Sequence, residues 1–231
     1  ILGISAMIRP LKVQSQLIRF DTPIMIAATL IFVVFFLDKH IGRIEALVLF
    51  AGIIVYTLVV VKMARREVKK NRDEGVLDEV HTEYGAVVCI FFILAGLVAL
   101  VAGAKVFVEG AVMVAHRFRI SEAVIGLTIV AAGTSLPELA TSVVAAFKKQ
   151  SDISIGNIIG SSSFNILCII GVAGLISPIS APGISPVDIS MMGFTAVLLF
   201  PLMRSGFTGK GIAGFVLVLI YFGYIGSLWP K

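Results

Sequence analysis

The stretch Ala131-Ala132-Gly133-Thr134-Ser135-Leu136-Pro137-Glu138-Leu139-Ala140 sets a proline and a carboxylate in the middle of residues 122–147, which are otherwise mostly apolar. As a helix rising about 1.5 Å per residue, 122–147 reaches roughly 39 Å, enough to cross a bilayer core with room for a kink or tilt. Ionisable groups are costly there and mark a bound ion or a water-filled cavity. The next span repeats the theme without charge: Gly156-Asn157-Ile158-Ile159-Gly160-Ser161-Ser162-Ser163-Phe164-Asn165 carries amides and hydroxyls into another apolar run. The pair points to a polar cation site between two adjacent helices.

Composition agrees with a membrane setting. Of 231 residues, 58% are hydrophobic and 14% charged, with mean hydropathy +1.03, too little polar surface for a water-soluble domain. Seven apolar spans are predicted, at roughly 19–37, 43–62, 85–112, 122–147, 153–176, 187–203 and 207–229. They are long, continuous and rich in Ala, Gly and Leu, which excludes a β-barrel with its alternating ten-residue strands. The expected fold class is therefore all-α, a polytopic transmembrane helical bundle.

The net charge of +5 is distributed as membrane topology requires. With alternating spans, Arg9, Lys12, Arg19, Lys62, Arg65, Arg66, Lys69, Lys70, Arg72, Lys148, Lys149, Arg204 and Lys210 share one side. Lys39, Arg43, Arg117, Arg119 and Lys231 lie on the other. The positive-inside rule makes the first side cytoplasmic and the C-terminus external, and nucleic acid is excluded as a partner. Three parts follow: 1–63, an apolar helix end with two spans; 64–84, a cytoplasmic connector that begins basic and turns acidic; and 85–231, five spans with the polar motifs at 126–176. The run Ile1–Met7 before Arg9-Pro10 reads as the tail of a helix rather than a signal peptide, so an incomplete chain lacking N-terminal helices is expected. Cys89 and Cys168 sit in spans without metal-ligand spacing and are expected to pack as small apolar groups.

On a regular helix, Ala131, Thr134, Ser135 and Glu138 share one face. Pro137 deprives the Gly133 carbonyl of its N–H partner, and Gly133 is expected to let the backbone bend. Carboxylate, hydroxyl and carbonyl oxygens are the hard donors that Na⁺ and Ca²⁺ accept. Asn157, Ser161 and Asn165 line one face of the following helix, with Gly156, Gly160 and Ser163 expected to allow close helix approach. Lys105 and Glu109, four apart, are expected to neutralise each other, and Ser121 reads as an N-cap. Glu45, Glu122 and Asp188 fall near span ends. No P-loop, zinc motif or nucleophile–base pair suggests an enzyme.

Gly-Thr-Ser-x-Pro-Glu at 133–138, with Gly-Asn-x-x-Gly-Ser-x-x-x-Asn at 156–165, resembles an α-repeat of the cation/calcium exchanger superfamily, in particular its prokaryotic sodium/calcium exchanger-like members. The resemblance implies a ten-helix, inverted-repeat exchanger, of which these seven spans would be the last seven. It also implies an inner-membrane antiporter that moves Ca²⁺ against Na⁺ and needs no further cofactor. Glu138 would be the central ligand, with Thr134, Ser135 and the Ala131 carbonyl beside it, and Ser161 and Asn165 across the hairpin. Many members carry Asp where this chain has Asn165, so this half holds one fewer negative charge. No second Gly-Thr-Ser-x-Pro-Glu occurs, so a missing N-terminal half with the first α-repeat is expected as partner. The alternatives are a proton-coupled cation exchanger and a non-transporting membrane subunit.

Overall fold

The computed structural model describes residues 1–8, 13–73, 85–120, 125–205 and 211–228. The elements run α1 (Leu2–Ile8), a π turn (Leu17–Asp21) into α2 (Thr22–Phe35), β1 (His40–Ile41), α3 (Arg43–Asp73) and α4 (Ala86–Arg117). A second π turn (Gly126–Val130) leads into α5 (Ala131–Thr134) and α6 (Leu136–Phe147). Then come α7 (Ser151–Phe164), a third π turn (Asn165–Ile169), α8 (Ile170–Ile176), β2 (Ile179–Ser180), α9 (Pro186–Arg204) and α10 (Ile212–Leu228).

Among the described residues, five stretches are long and apolar enough to span a membrane: Leu17–Phe35, Arg43–Lys69, Ala86–Arg117, Ser151–Ile176 and Pro186–Arg204. A sixth is the broken pair Thr128–Thr134 and Leu136–Phe147. The seventh expected span appears only as α10, whose 17 described residues reach about 26 Å at 1.5 Å per residue. The basic half of the connector proves helical, because α3 continues through Asp73. The expectations for Arg9-Pro10, Ser121, Glu122 and residues 74–84 lie outside the described residues.

Helix ends follow local chemistry. α9 opens on a capping box in which the Ser185 side chain accepts from the Asp188 N–H and Asp188 accepts from the Ser185 N–H at 2.8 Å, with Pro186 in the first turn. That gives the span-end Asp188 its role. α6 closes with Lys149 at φ 64 while the Gln150 N–H donates to the Ala145 carbonyl at 2.8 Å. Such a left-handed stop reverses the chain within a few residues and produces the sharp hairpin into α7.

The contacts divide the chain into two units. The first comprises Ile1–Leu11, Val80–Ser154 and Thr208–Lys231. In it α1 packs on α10 and α6, and a Cβ added to Gly3 would stand 2.8 Å from the Gly214 carbonyl oxygen. Only glycines admit so close a backbone approach. α4 packs on α5 and α6, yet none of its most apolar window is buried. Such a surface is stable facing acyl chains and would not be in water. Lys105 Nζ and Glu109 Oε1 stand 3.8 Å apart on it, the expected pair.

The second unit comprises Lys12–Glu79 and Ile155–Phe207. Its core joins Ala28 of α2, Leu49 of α3 and Ile166 and Leu167 of the third π turn. α3 lies along α8, where a Cβ on Gly171 would meet the Phe50 nitrogen at 2.9 Å and one on Gly174 the Ala46 Cβ at 2.7 Å. Close approach was expected at Gly156 and Gly160 instead, but among the described residues an added Cβ there meets nothing within 4 Å. The Gly-x-x-Gly that packs, Gly171 to Gly174, lies about three turns beyond Gly160. β1 and β2 pair antiparallel, Ile41 against Ile179, and Lys39 Nζ donates to the Pro182 carbonyl at 3.2 Å. The proline-rich turn is thereby pinned to the α2–α3 loop.

Candidate functional site

The candidate site is built around the break in the span 128–147. α6 leaves α5 at a bend of 52°, and the pivot is Ser135, at φ −93 and ψ 3. Its N–H turns to the Ala132 carbonyl at 3.1 Å, and its own carbonyl accepts from Leu139 at 2.9 Å. The single face expected for residues 131–138 is therefore split: Ala131 and Thr134 lie on one segment and Glu138 on the first turn of the other. Proline causes the split, since Pro137 is comfortable only in the first turn of a new helix and cannot serve the Gly133 carbonyl.

Gly133 has a different task from the expected one. It is buried against α4, and a Cβ there would run into the Val108 side chain. It lets the broken span sit on its neighbour, while Ser135 does the bending. The π turn Gly126–Val130 sits immediately before Ala131, whose N–H reaches back to the Gly126 carbonyl. π turns recur at functional sites because they unwind the ladder locally.

These distortions present oxygens. The Thr134 hydroxyl donates to the Ala131 carbonyl at 3.0 Å, and the Thr141 hydroxyl to the Pro137 carbonyl at 2.8 Å. Each hydroxyl keeps lone pairs for a cation. Glu138 is half-buried in the N-terminal turn of α6, where the helix dipole favours its negative charge. Its Oε2 is buried with no hydrogen bond among the described residues, although the side chain is engaged through another contact. Below the bend, the Ser142 hydroxyl donates to the Ser154 carbonyl at 3.4 Å and ties α6 to the start of α7.

Ser161 and Asn165 belong to the second unit. The Ser161 hydroxyl donates to the Ile158 carbonyl at 3.2 Å. Asn165 is the first residue of the third π turn, where the Ile170 N–H reaches back to the Asn165 carbonyl. Ser163, between them, is fully buried with its Oγ without a hydrogen bond among the described residues. The structure thus brings Ala131, Thr134, Ser135 and Glu138 around one break, and sets Ser161 and Asn165 beside another distortion.

One buried carboxylate escaped the sequence reading. Asp21 ends the first π turn at 7% exposure and accepts a 2.8 Å hydrogen bond from the Tyr56 hydroxyl of α3. Beside it, fully buried Thr22 donates to the Leu17 carbonyl at 2.7 Å and to Met203 Sδ at 3.1 Å. Its signal was an acid two residues before Pro23 inside a span edge, hidden by the adjacent Arg19.

No three His, Cys, Asp or Glu side chains cluster among the described residues. The site's donors are mainly hydroxyl and carbonyl oxygens, a set suited to alkali and alkaline-earth ions.

The family model for sodium/calcium exchanger proteins matches residues 1–62 and 88–229. The putative antiporter CaxA of Alkalimonas amylolytica is 32% identical over 232 residues, covering 97% of this chain and 72% of that protein. The inner membrane protein YrbG of Escherichia coli is also 32% identical, covering 97% of this chain and 70% of its own length. A solved structure of the sodium-calcium exchanger NCX_Mj, soaked with 10 mM Na⁺ and 10 mM Sr²⁺, superposes with TM-score 0.76 at 28% identity, over 99% of this chain and 71% of that one. With its apolar helices and broken span, the chain is a multi-pass membrane protein that belongs to the sodium/calcium exchanger family.

Proposed function

We propose that this chain carries one α-repeat of an inner-membrane antiporter that extrudes Ca²⁺ in exchange for inward-moving Na⁺. The observation that carries the reading is the 52° break at Ser135, which gathers a carboxylate, hydroxyls and a carbonyl at membrane depth. Irregular backbone is tolerated there only where it is buried in protein or lines a cavity. Glu138 supplies the charge, with Thr134, Ser135, the Ala131 carbonyl, Ser161 and Asn165 as neutral ligands. Both ions use the same oxygens in turn, so exchange follows from competition. A single carboxylate neutralises only half of a divalent ion's charge, so the complete site takes further oxygen donors opposite this repeat. The seven-span count of the sequence fits this reading as the later spans of a ten-helix exchanger.

Inside-out vesicles carrying the exchanger test this directly. Ca²⁺ uptake driven by an imposed Na⁺ gradient, persisting when the pH difference is collapsed by an ionophore, is the expected result. Uptake that follows the pH difference and ignores Na⁺ would instead assign proton coupling, and no uptake under either gradient would assign a non-transporting subunit.

A further inference from the structure

A second site lies away from the ion ligands, between α2 and α9 of the second unit. A cavity of about 440 Å³ is lined by Ser15, Ile18, Arg19, Pro23, Phe200 and Arg204. A second, also about 440 Å³, shares Phe200 and continues along Ile26, Val197, Leu198 and Pro201 with almost no polar lining. The order along the helices is systematic. Ser15, Arg19, Pro23 and Ile26 recur every three or four positions on one helix, and Phe194, Val197, Pro201 and Arg204 do so on the other. The fully buried Thr22–Met203 contact at 3.1 Å holds these two helices together.

The paired stripes therefore grade from two guanidiniums and a hydroxyl at one end to hydrocarbon at the other. Among the described residues no carboxylate lines either cavity: Asp21, the nearest acid in sequence, accepts from Tyr56 instead. The basic end falls on the side that the charge bias assigns to the cytoplasm. Arginine's planar fork suits a phosphate, and basic pockets between spans on this side are where anionic head groups bind.

We propose that this groove holds one anionic phospholipid, its phosphate between Arg19 and Arg204 and an acyl chain along Ile26, Leu198 and Pro201. A free phosphate would use only the basic end, and a second protein copy would have no use for the grading from charge to hydrocarbon.

The purified chain in neutral detergent, titrated with phosphatidylglycerol and followed by native mass spectrometry, tests the proposal. One lipid should be retained in preference to phosphatidylcholine, with affinity falling as salt rises. Arg19→Gln should weaken it about fivefold and Arg19→Gln with Arg204→Gln about thirtyfold, from the roughly 1 kcal/mol that each such charge contributes. Leu198→Trp, which narrows the apolar end, should weaken the lipid without changing its salt dependence. Equal retention of phosphatidylcholine would overturn the proposal, as would a double variant that binds like the parent. Full displacement of the lipid by millimolar inorganic phosphate, with Leu198→Trp silent, would reduce the site to an anion pocket and equally overturn it.

Discussion

The two consecutive spans that carry polar groups into the membrane do so by different means. The span ending in α6 is broken: one residue, Ser135, leaves helical geometry and the axis turns by 52°. The span from Ser151 to Ile176 stays continuous and is only widened, by the π turn Asn165–Ile169. The broken span carries charge in Glu138, and the widened one offers neutral Ser161 and Asn165. A break frees carbonyls and places a carboxylate on a new helix N-terminus, where the dipole supports it. A π turn shifts register while keeping the backbone bonded, which suffices for neutral ligands. On the proposed reading, electrostatics rests on the first span and geometry on the second.

Glu138→Gln is the change that would break this assignment most decisively. It keeps shape and removes charge, so Na⁺-driven Ca²⁺ uptake in vesicles should fall more than about a hundredfold, because losing the charged partner of a buried ion costs about 3–5 kcal/mol. Expression and melting temperature should hold near the parent value. Asn165→Ala removes one neutral ligand and should weaken apparent Ca²⁺ affinity by only about tenfold. Equal losses from the two variants would erase the proposed division of labour.

The break also has a packing requirement. Gly133→Ala should lower stability by about 1–3 kcal/mol, the usual range for overpacking, since the new Cβ overlaps Val108 of α4. Adding Val108→Ala should restore most of that loss, read as the melting temperature of the detergent-solubilised protein. Failure of the second change to rescue would mean that Gly133 is required for its backbone freedom, as the sequence alone suggests.

How much was legible follows from the same contrast. Pro137 and Gly133 announce a break because proline forbids a helix bond and glycine is rare without cause. Their message was correct in place and wrong in detail, for the pivot fell on Ser135, a residue with no conformational signature. The π turns went unseen because Leu17–Asp21, Gly126–Val130 and Asn165–Ile169 need no special residue type: one extra residue per turn leaves the composition unchanged. The glycines misled for a related reason. Gly156-x-x-x-Gly160 has the spacing of a packing motif, but which face meets a neighbour is decided by helix rotation, and the π turn at 165–169 resets that rotation before Gly171 and Gly174. Capping at Ser185–Asp188 needed only local chemistry, which a sequence records in full.

Asp21 supplies the smallest test, and it asks whether a carboxylate at a π turn must carry ions to be kept. Its Oδ1 is held by the Tyr56 hydroxyl of α3 at 2.8 Å. Tyr56→Phe removes that hydrogen bond without changing volume much. Interhelical hydrogen bonds in membranes average about 0.6 kcal/mol, so the melting temperature should drop only slightly and Na⁺-driven exchange should be unchanged. A loss of exchange larger than the loss of stability would place Asp21 beside Glu138 in the transport path. A stability loss alone would make it a structural tie between α2 and α3, and the charge for exchange would then rest on the broken span.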